Sequence, residues 1–272
     1  RIAGHYDLLY RRILAGRETR MRPDVAFFLP GLGPGGAERA MTDLAAGFAE
    51  RGYSTDLLVA RSGRSCHHEI SPKVRIVAFG RGRTARCLPD ITAYLRRERP
   101  PVLIAALTHG NLVALAAHLL SGTRTAIVVT ERNSLRHTLL EYSRVPRMLL
   151  GTALRLLYPR AKIVVGISRG VAGCVEELVV KHSTTVRSIT NPVDIARVRR
   201  MSKPQPSWSP FDSSSPVITG AGRLVRQKGF DVLLMAFALL PATVGARLLI
   251  LGEGPERGSL HPGWSGISAP GS

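Results

Sequence analysis

Short apolar runs alternate with longer segments of helical periodicity along most of the chain. The runs have the length and continuous hydrophobicity of strands that are buried on both faces of a parallel sheet. Strands are predicted over residues 25–29, 55–60, 74–79, 102–107, 126–130, 162–167 and 186–190. Helices are predicted between them over residues 36–51, 85–98, 110–121, 139–158 and 169–181. This alternation predicts an α/β fold with a doubly wound, Rossmann-type parallel sheet.

A Pro- and Ser-rich stretch over residues 202–216 interrupts the pattern and is predicted to be a linker. Residues 1–20 are interpreted as an extension and residues 21–201 as a complete N-terminal domain. A second domain begins with a strand at 217–221, a helix at 229–240 and a strand at 246–251, and residues 258–272 do not continue its pattern. Two strands cannot close a doubly wound sheet, so residues 217–257 are expected to be an incomplete domain with uncovered apolar faces.

The composition is that of a globular protein, with 44% hydrophobic and 21% charged residues among 272. It argues against intrinsic disorder and collagen. The 38 Lys and Arg residues outnumber the 19 acidic residues and give a net charge of +19, almost all from arginine. Such a charge favours nucleic acid, an anionic membrane surface or phosphorylated small molecules. Because an Arg-rich composition also follows from a GC-rich coding sequence, the charge permits these partners without selecting one.

Three widely spaced cysteines, Cys66, Cys87 and Cys174, form no CxxC pair. They indicate a reducing compartment and neither a disulfide framework nor a zinc site. The most apolar window, residues 102–120, is interrupted by polar residues at 108–111, so no transmembrane helix is predicted. The first twenty residues do not have the pattern of a secretory signal peptide. A cytoplasmic location is therefore expected, and docking on a membrane surface remains open.

A glycine-rich turn follows the first predicted strand, where a doubly wound fold binds its ligand. Gly35 and Gly36 lack a Cβ, so their N–H groups can approach a phosphate or a sugar hydroxyl at the start of the next helix. Gly31, Gly33 and Gly36 fit the spacing G-x-G-x-x-G, but a proline interrupts it and no acidic residue closes the second strand. A plain tight turn is the alternative interpretation.

Two further polar segments follow the fourth and fifth predicted strands. The first carries His109 on a predicted loop, where it can act as a base or donate a hydrogen bond to a sugar. The second, at residues 130–133, combines Glu131, an arginine and Asn133. Taken alone, each segment also fits a surface turn that precedes a helix.

The second domain carries two glycine-bounded turns. Arg223 and Lys228 follow its first strand and lie just before a helix, an arrangement that favours a diphosphate. Glu253 lies in the sharp turn after its second strand, where it can contact a base or ribose or face solvent.

Together these motifs resemble the family 4 glycosyltransferases, which have the two-domain GT-B fold. The resemblance rests on Gly-Gly-Ala-Glu at 35–38, Asn-Pro-Val-Asp at 191–194, the stretch from Gly222 to Asp231, and Leu-Gly-Glu-Gly-Pro at 251–255. It extends over residues 24–257, and the combination and order are more specific than any single motif.

The resemblance implies transfer of a sugar from a nucleotide diphosphate donor with retention of configuration, without a metal or other cofactor. It implies that Arg223 and Lys228 bind the diphosphate, with Glu253 and the amides of Gly35 and Gly36 also on the donor. His109 matches the family position that touches the transferred sugar. Glu131 and Asn133 would lie on the side of a glycan or lipid-linked acceptor. Such acceptors suit peripheral association with an anionic membrane.

The Glu-x7-Glu motif of the family lies beyond the end of this chain, so a C-terminally truncated donor domain is expected. A second hypothesis is therefore a catalytically dead remnant that only binds an acceptor or an anionic membrane surface. A nucleic-acid-binding protein is the third, ranked last because the aromatic content is only 6% and no nucleic-acid-binding motif is present.

Overall fold

The computed structural model describes residues 22–33, 35–61, 70–179, 184–202 and 216–260. The chain forms two compact units, Arg1–Arg197 and Val198–Ser272. The predicted extension, most of the predicted linker, most of the predicted tail and Cys66 lie outside the described residues. The domain limits inferred from the sequence stay predictions.

The first unit contains a seven-stranded sheet in which every pair of neighbouring strands is parallel. Its order is β3-β2-β1-β4-β5-β6-β7. The strands are β1 (Val25–Gly31), β2 (Thr55–Arg61), β3 (Val74–Ala78), β4 (Val102–Ala106), β5 (Ala126–Glu131), β6 (Ile163–Gly166) and β7 (Thr185–Ser188). The direction of winding reverses between β1 and β4, so the crevice of a doubly wound sheet opens at their carboxyl ends. The predicted fold class is confirmed.

Helices cover both faces of this sheet because successive β1 side chains point to opposite sides. Phe27 and Leu29 pack with Met41 on one face, whereas Phe28 packs with Leu115 on the other. The helices of this unit are α1 (Gly36–Glu50), α2 (Leu88–Glu98), α3 (Thr108–Ser121), α4 (Leu135–Leu140), α5 (Arg144–Leu157) and α6 (Arg169–Leu178), with short 3-10 turns at Thr84–Cys87 and Tyr158–Arg160. A further helix, α7 (Ile195–Met201), begins in this unit and continues past its end at Arg197. None of the helices in these described ranges is long and apolar enough to cross a membrane.

The single helix predicted over residues 139–158 is wrong, because the chain forms two helices there. Helix α4 ends at Leu140, and α5 starts afresh after Ser143, whose backbone is extended. Pro146 lies in the first turn of α5, the part of a helix in which a missing N–H costs least. The apolar periodicity continues through the break, which is why the pattern alone indicated one helix.

Two other boundaries differ from the sequence prediction. Helix α3 begins at Thr108 and not at residue 110, so His109 lies in the first helical turn and not on a loop. Its N-cap is Leu107, a residue type that does not signal a helix start. Helix α7 was not predicted, although Asp194 caps it by accepting a hydrogen bond from the Arg197 N–H at 2.9 Å.

The second unit contains a two-stranded parallel sheet of β8 (Val217–Ala221) and β9 (Arg247–Leu251), with helix α8 (Phe230–Ala238) between them. Leu224 and Phe230 are its buried apolar residues within the described part of the chain. Large apolar side chains on α8 and on both strands are exposed. That residues 217–257 form an incomplete domain stays a prediction.

Candidate functional site

The candidate residues of the first unit lie at one edge of its sheet. Gly35 and Gly36 follow β1, His109 follows β4, and Glu131 and Asn133 end or follow β5. Parallel strands that are neighbours in the sheet deliver these segments to the same carboxyl edge. The topology therefore brings together three constellations that are about 20–100 residues apart in sequence.

The glycine-rich turn leaves the start of α1 open to a ligand. Gly35 is the N-cap and supplies no side-chain cap, and Gly36 is exposed with open space where a Cβ would lie. The Glu38 carboxylate lies over the turn, since a Cβ on Gly35 would overlap its Oε2 atom. A carboxylate in that position repels phosphate and accepts hydrogen bonds, so the geometry favours a sugar hydroxyl here.

His109 is exposed in the first turn of α3. Its Nε2 atom lies 2.8 Å from the Tyr142 hydroxyl, and the two rings meet edge to face with centroids 6.3 Å apart. Leu107, which precedes the turn, has φ = +68°, a conformation that non-glycine residues rarely adopt. Backbone strain of this kind concentrates at functional sites, where it fixes the direction of a side chain.

Glu131 is buried at the end of β5, with only 1% of its surface exposed. Its carboxylate accepts hydrogen bonds from the Thr108 hydroxyl and from Asn111 Nδ2, both at 3.0 Å, and from the Tyr158 hydroxyl. Burial raises the pKa of Glu131 to about 7, although these three donors act in the opposite direction. The polar segment after β5 is thus not a solvated turn: Glu131 ties β5 to the first turn of α3.

Asn111 is the second centre of this network. Its Nδ2 atom also donates to the Thr130 carbonyl at 3.0 Å, whereas its Oδ1 atom has no partner in the described structure. Contact between Glu131 and an acceptor stays a prediction, because the residue faces the protein interior. Asn133, two residues further on, is exposed at the same edge.

Arg132 is a residue of this edge whose contacts the sequence did not reveal. It is buried, and its Nη1 atom donates to Oδ1 of Asn191, the first residue of the Asn-Pro-Val-Asp motif. Burial lowers the pKa of Arg132, and the nearby Glu38 carboxylate opposes that shift. Arg132 therefore joins the end of β5 to the segment after β7 and lies close to the glycine-rich turn. The Asn-Pro-Val-Asp motif was recognisable in the sequence, but no pattern near Asn191 predicted its hydrogen bond with Arg132.

In the second unit, the two glycine-bounded turns interlock at the carboxyl edge of β8 and β9. The Gly222 N–H donates to the Leu251 carbonyl and the Leu224 N–H to the Glu253 carbonyl, both at 2.9 Å. The Glu256 N–H returns a hydrogen bond to the Leu224 carbonyl at 3.1 Å. These bonds hold the two turns as one rigid element.

Arg223 and Lys228 project from this element as exposed cations. Lys228 ends a 3-10 turn before α8, and its side chain passes the backbone of Gly222. Neither residue forms an ion pair with another residue of the described structure. Glu253 is exposed beside them and pairs with Arg257. Two exposed cations that form no ion pair within the described residues suit a diphosphate.

Within the described residues, neither a cluster of metal ligands nor the cleft described next lies at this edge. Among the described residues, no group of three His, Cys, Asp or Glu side chains could hold a metal ion, and the absence of a metal stays a prediction. A cleft of about 540 Å³ lies at the opposite, amino edge of the first sheet. Arg96 in that cleft already binds the carbonyls of Leu120 and Ser121 at the end of α3. The cleft is therefore a helix-capping region remote from the candidate residues.

Comparison with known proteins gives a consistent result. The sequence pattern of Glycosyltransferase Family 4 matches residues 34–197, more than half of the chain. A curated relative, the lipopolysaccharide core biosynthesis glycosyltransferase LpsE of Rhizobium meliloti (strain 1021), is 29% identical over 231 residues. That match covers 84% of this chain and 59% of LpsE.

Solved structures share the fold. The lipopolysaccharide outer core galactosyltransferase WaaB in its apo form superposes with a TM-score of 0.59 at 17% identity, over 87% of this chain and 62% of WaaB. Anabaena HepE in complex with UDP and glucose gives a TM-score of 0.58 at 18% identity, over 85% of this chain and 61% of HepE. Sucrose-phosphate synthase from Thermosynechococcus elongatus superposes with a TM-score of 0.62 at 18% identity, over 87% of this chain and 64% of that protein. The chain spans about three fifths of the length of these relatives.

Proposed function

Since the chain belongs to glycosyltransferase family 4, we propose that it transfers a sugar from a nucleoside diphosphate donor to a glycan or lipid-linked acceptor. The configuration of the anomeric carbon is retained. The observation that carries the proposal is the interlocked pair of turns in the second unit, the first of which is followed by Arg223 and Lys228 as exposed cations. The names of LpsE and WaaB support an acceptor in cell-surface polysaccharide or glycolipid synthesis.

In the proposed reaction, the bond between the anomeric carbon and the diphosphate oxygen breaks while the acceptor hydroxyl oxygen bonds to that carbon. The proton of the acceptor hydroxyl passes to the oxygen of the leaving diphosphate. Negative charge develops on the leaving diphosphate. Arg223 and Lys228 stabilise this charge without a metal ion, since a guanidinium and an ammonium supply the required positive charge. Glu253 accepts hydrogen bonds from the nucleoside part of the donor.

The first unit supplies the groups that meet the sugar. His109 is exposed, and its ring is held by Tyr142, so it can hydrogen-bond the transferred sugar. The open start of α1 at Gly35 and Gly36 offers N–H groups to sugar hydroxyls. Asn133 is an exposed amide on the acceptor side. We place the reaction in the cytoplasm, where nucleotide sugars and a reducing environment coincide.

Replacing both donor-site cations should abolish nucleoside diphosphate binding. In Arg223→Ala/Lys228→Ala, two charge-assisted hydrogen bonds are lost, which we expect to weaken UDP or GDP binding by at least about 100-fold. The measurement is isothermal titration with each nucleotide. Arg199→Ala/Arg200→Ala is the matched control, because it removes two exposed arginines of α7 in the same unit. Equal nucleotide affinities in the two double variants would show that Arg223 and Lys228 do not bind the diphosphate.

Turnover tests the proposal beyond binding. The purified chain is incubated with radiolabelled nucleotide sugars and a lipid extract, and labelled glycolipid is separated from free sugar. Label in the lipid fraction that requires Arg223 and Lys228 supports transfer. Nucleotide binding without transfer or hydrolysis would instead favour a protein that only binds its ligands.

The Gly36→Ala substitution should weaken ligand binding without changing the stability of the fold. A Cβ at this position meets open space, so we expect an unchanged unfolding temperature. If a sugar hydroxyl approaches the backbone here, the added methyl group should weaken nucleotide-sugar binding about tenfold by steric exclusion. Gly173→Ala in α6 is the control, since that glycine is also exposed with open space around it. Unchanged affinity of Gly36→Ala for the nucleotide sugar would show that the glycine-rich turn does not contact the ligand.

A further inference from the structure

Arg132, the residue directly after β5, is a buried cation that forms no ion pair with any residue in the described ranges. Only 9% of its surface is exposed. Its Nη1 atom donates to Oδ1 of Asn191, whereas its buried Nε atom has no hydrogen-bond partner in those ranges. Burying a charge without a counter-charge is costly, and a neutral amide could make the same bond to Asn191. The structural contact therefore does not explain why this position carries a charge.

The remaining donors of Arg132 form one edge of its guanidinium group. The Nη2 atom also makes no hydrogen bond within the described part of the chain, and it reaches the surface. The N–H groups of Nε and Nη2 are parallel, so they can bind two oxygens of one anion. Arg81 donates through the same edge to both oxygens of Asp90 at 2.8 Å. Arg75 binds Asp56 in the same way. The edge of Arg132 therefore suits a carboxylate or a phosphate.

Two neighbouring side chains indicate what else the ligand carries. Asn191 is exposed and accepts from Arg132 with its Oδ1 atom, so its amide nitrogen can donate to the same anion. The Glu38 carboxylate lies over the glycine-rich turn, and its charge acts on Arg132. Glu38 accepts hydrogen bonds from hydroxyl groups, but it repels a diphosphate more strongly than an anion of lower charge. The combination suits an acidic sugar, with a hydroxyl group toward Glu38 and the anionic group toward Arg132.

We propose that Arg132 and Asn191 bind the carboxylate or phosphate group of an acidic sugar in the acceptor. Both residues lie at the carboxyl edge of the first sheet, after β5 and β7, together with the other candidate residues of that unit. The proposal rests on the proposed function for the statement that this sugar belongs to the acceptor. It adds the chemical class of the acceptor, and its test measures binding and not turnover.

The test is binding of glucuronate, glucose 6-phosphate and neutral glucose to the 272-residue chain, measured by ligand-observed NMR titration. The wild type should bind at least one of the two acidic sugars at least about tenfold more tightly than glucose. Arg132→Gln should abolish this preference, because glutamine can still donate to Asn191 but carries no charge. Arg124→Gln is the matched control and should keep the preference, since Arg124 is an exposed arginine at the opposite, amino edge of the same sheet.

Asn191→Asp tests the same site without removing the arginine. The new carboxylate can pair with the Arg132 guanidinium, so the unfolding temperature should rise. The same carboxylate competes with the anion of the sugar and repels it, so affinity for the acidic sugar should fall at least about tenfold. Arg132→Gln should unfold at the wild-type temperature or above it, because a buried charge without a counter-charge is removed. Thermal unfolding followed by circular dichroism measures both temperatures.

Three outcomes would overturn the proposal. The wild type could bind both acidic sugars no more tightly than glucose. Arg132→Gln could unfold at a lower temperature and keep the preference for acidic sugars, which would make Arg132 a structural link only. Arg132→Gln could weaken UDP binding as much as binding of the acidic sugar, which would assign Arg132 to the diphosphate of the donor. An Arg132-dependent preference for acidic sugars in a chain that transfers no sugar would contradict the proposed function alone.

Discussion

Replacing Glu131 by glutamine is expected to remove about 3 kcal/mol of pH dependence from the free energy of unfolding. Burial raises the pKa of the folded Glu131 carboxyl from 4.5 to about 7. Between these two values the folded chain holds a proton that the unfolded chain has released. The stabilisation is therefore complete below about pH 4.5 and is lost as the pH rises through about 7.

Glutamine can replace the protonated acid in this network. Its Oε1 atom can accept from the Tyr158 hydroxyl and from Asn111, and its amide can donate to the Thr108 hydroxyl. The variant should match the wild type near pH 4.5 and exceed it in stability at pH 8. Urea unfolding followed by circular dichroism at a series of pH values measures the difference.

Glu50→Gln, at the exposed end of α1, is the control for the Glu131 substitution. It should follow the wild-type curve, because the substituted side chain lies in water in both states. A wild type and a Glu131→Gln variant whose stabilities run parallel from pH 4.5 to pH 8 would show that Glu131 is ionised throughout. The network would then hold a buried carboxylate by its three donors alone.

The example of Glu131 also shows the limit of the sequence. The strands were predictable because each is a short continuous apolar run, and the topology followed from their alternation with helices. The polar segment after β5 was predictable as part of the carboxyl edge. The burial of Glu131 was not predictable, because its three donors, Asn111, Thr108 and Tyr158, lie 20, 23 and 27 residues away in the chain. Hydrogen-bond donors that lie far from Glu131 in the sequence leave no pattern in the residues around it.

In the second unit, too, the local patterns were predictable and the contacts between distant residues were not. Each glycine-bounded turn was recognisable by itself from its glycines, its cations and its place after a strand. Their interlocking depends on the parallel pairing of β8 and β9, which aligns Ala221 with Leu251. Only then do the following residues meet, so that hydrogen bonds connect residues about 30 positions apart.

Gly252→Ala should destroy this interlocked element and, with it, nucleotide binding. Gly252 has φ = +153°, and a Cβ there would overlap the Gly222 carbonyl oxygen and lie 2.8 Å from the carbonyl carbon. Both atoms belong to the backbone that positions Arg223, so neither can move without breaking the hydrogen bonds between the turns. We expect a loss of at least about 3 kcal/mol in local stability.

Hydrogen exchange of the Gly222 and Leu224 amides measures that loss directly, because both donate across the two turns. Their protection should fall at least about 100-fold in Gly252→Ala, whereas amides of the first unit should be unchanged. Gly258→Ala is the control, since that exposed glycine has open space around it. UDP affinity should fall together with protection, because Arg223 is held by the element that opens. If the two amides stay protected while UDP affinity is lost, the alanine methyl group blocks the nucleotide directly. If protection is lost while UDP affinity is retained, Arg223 does not belong to the donor site.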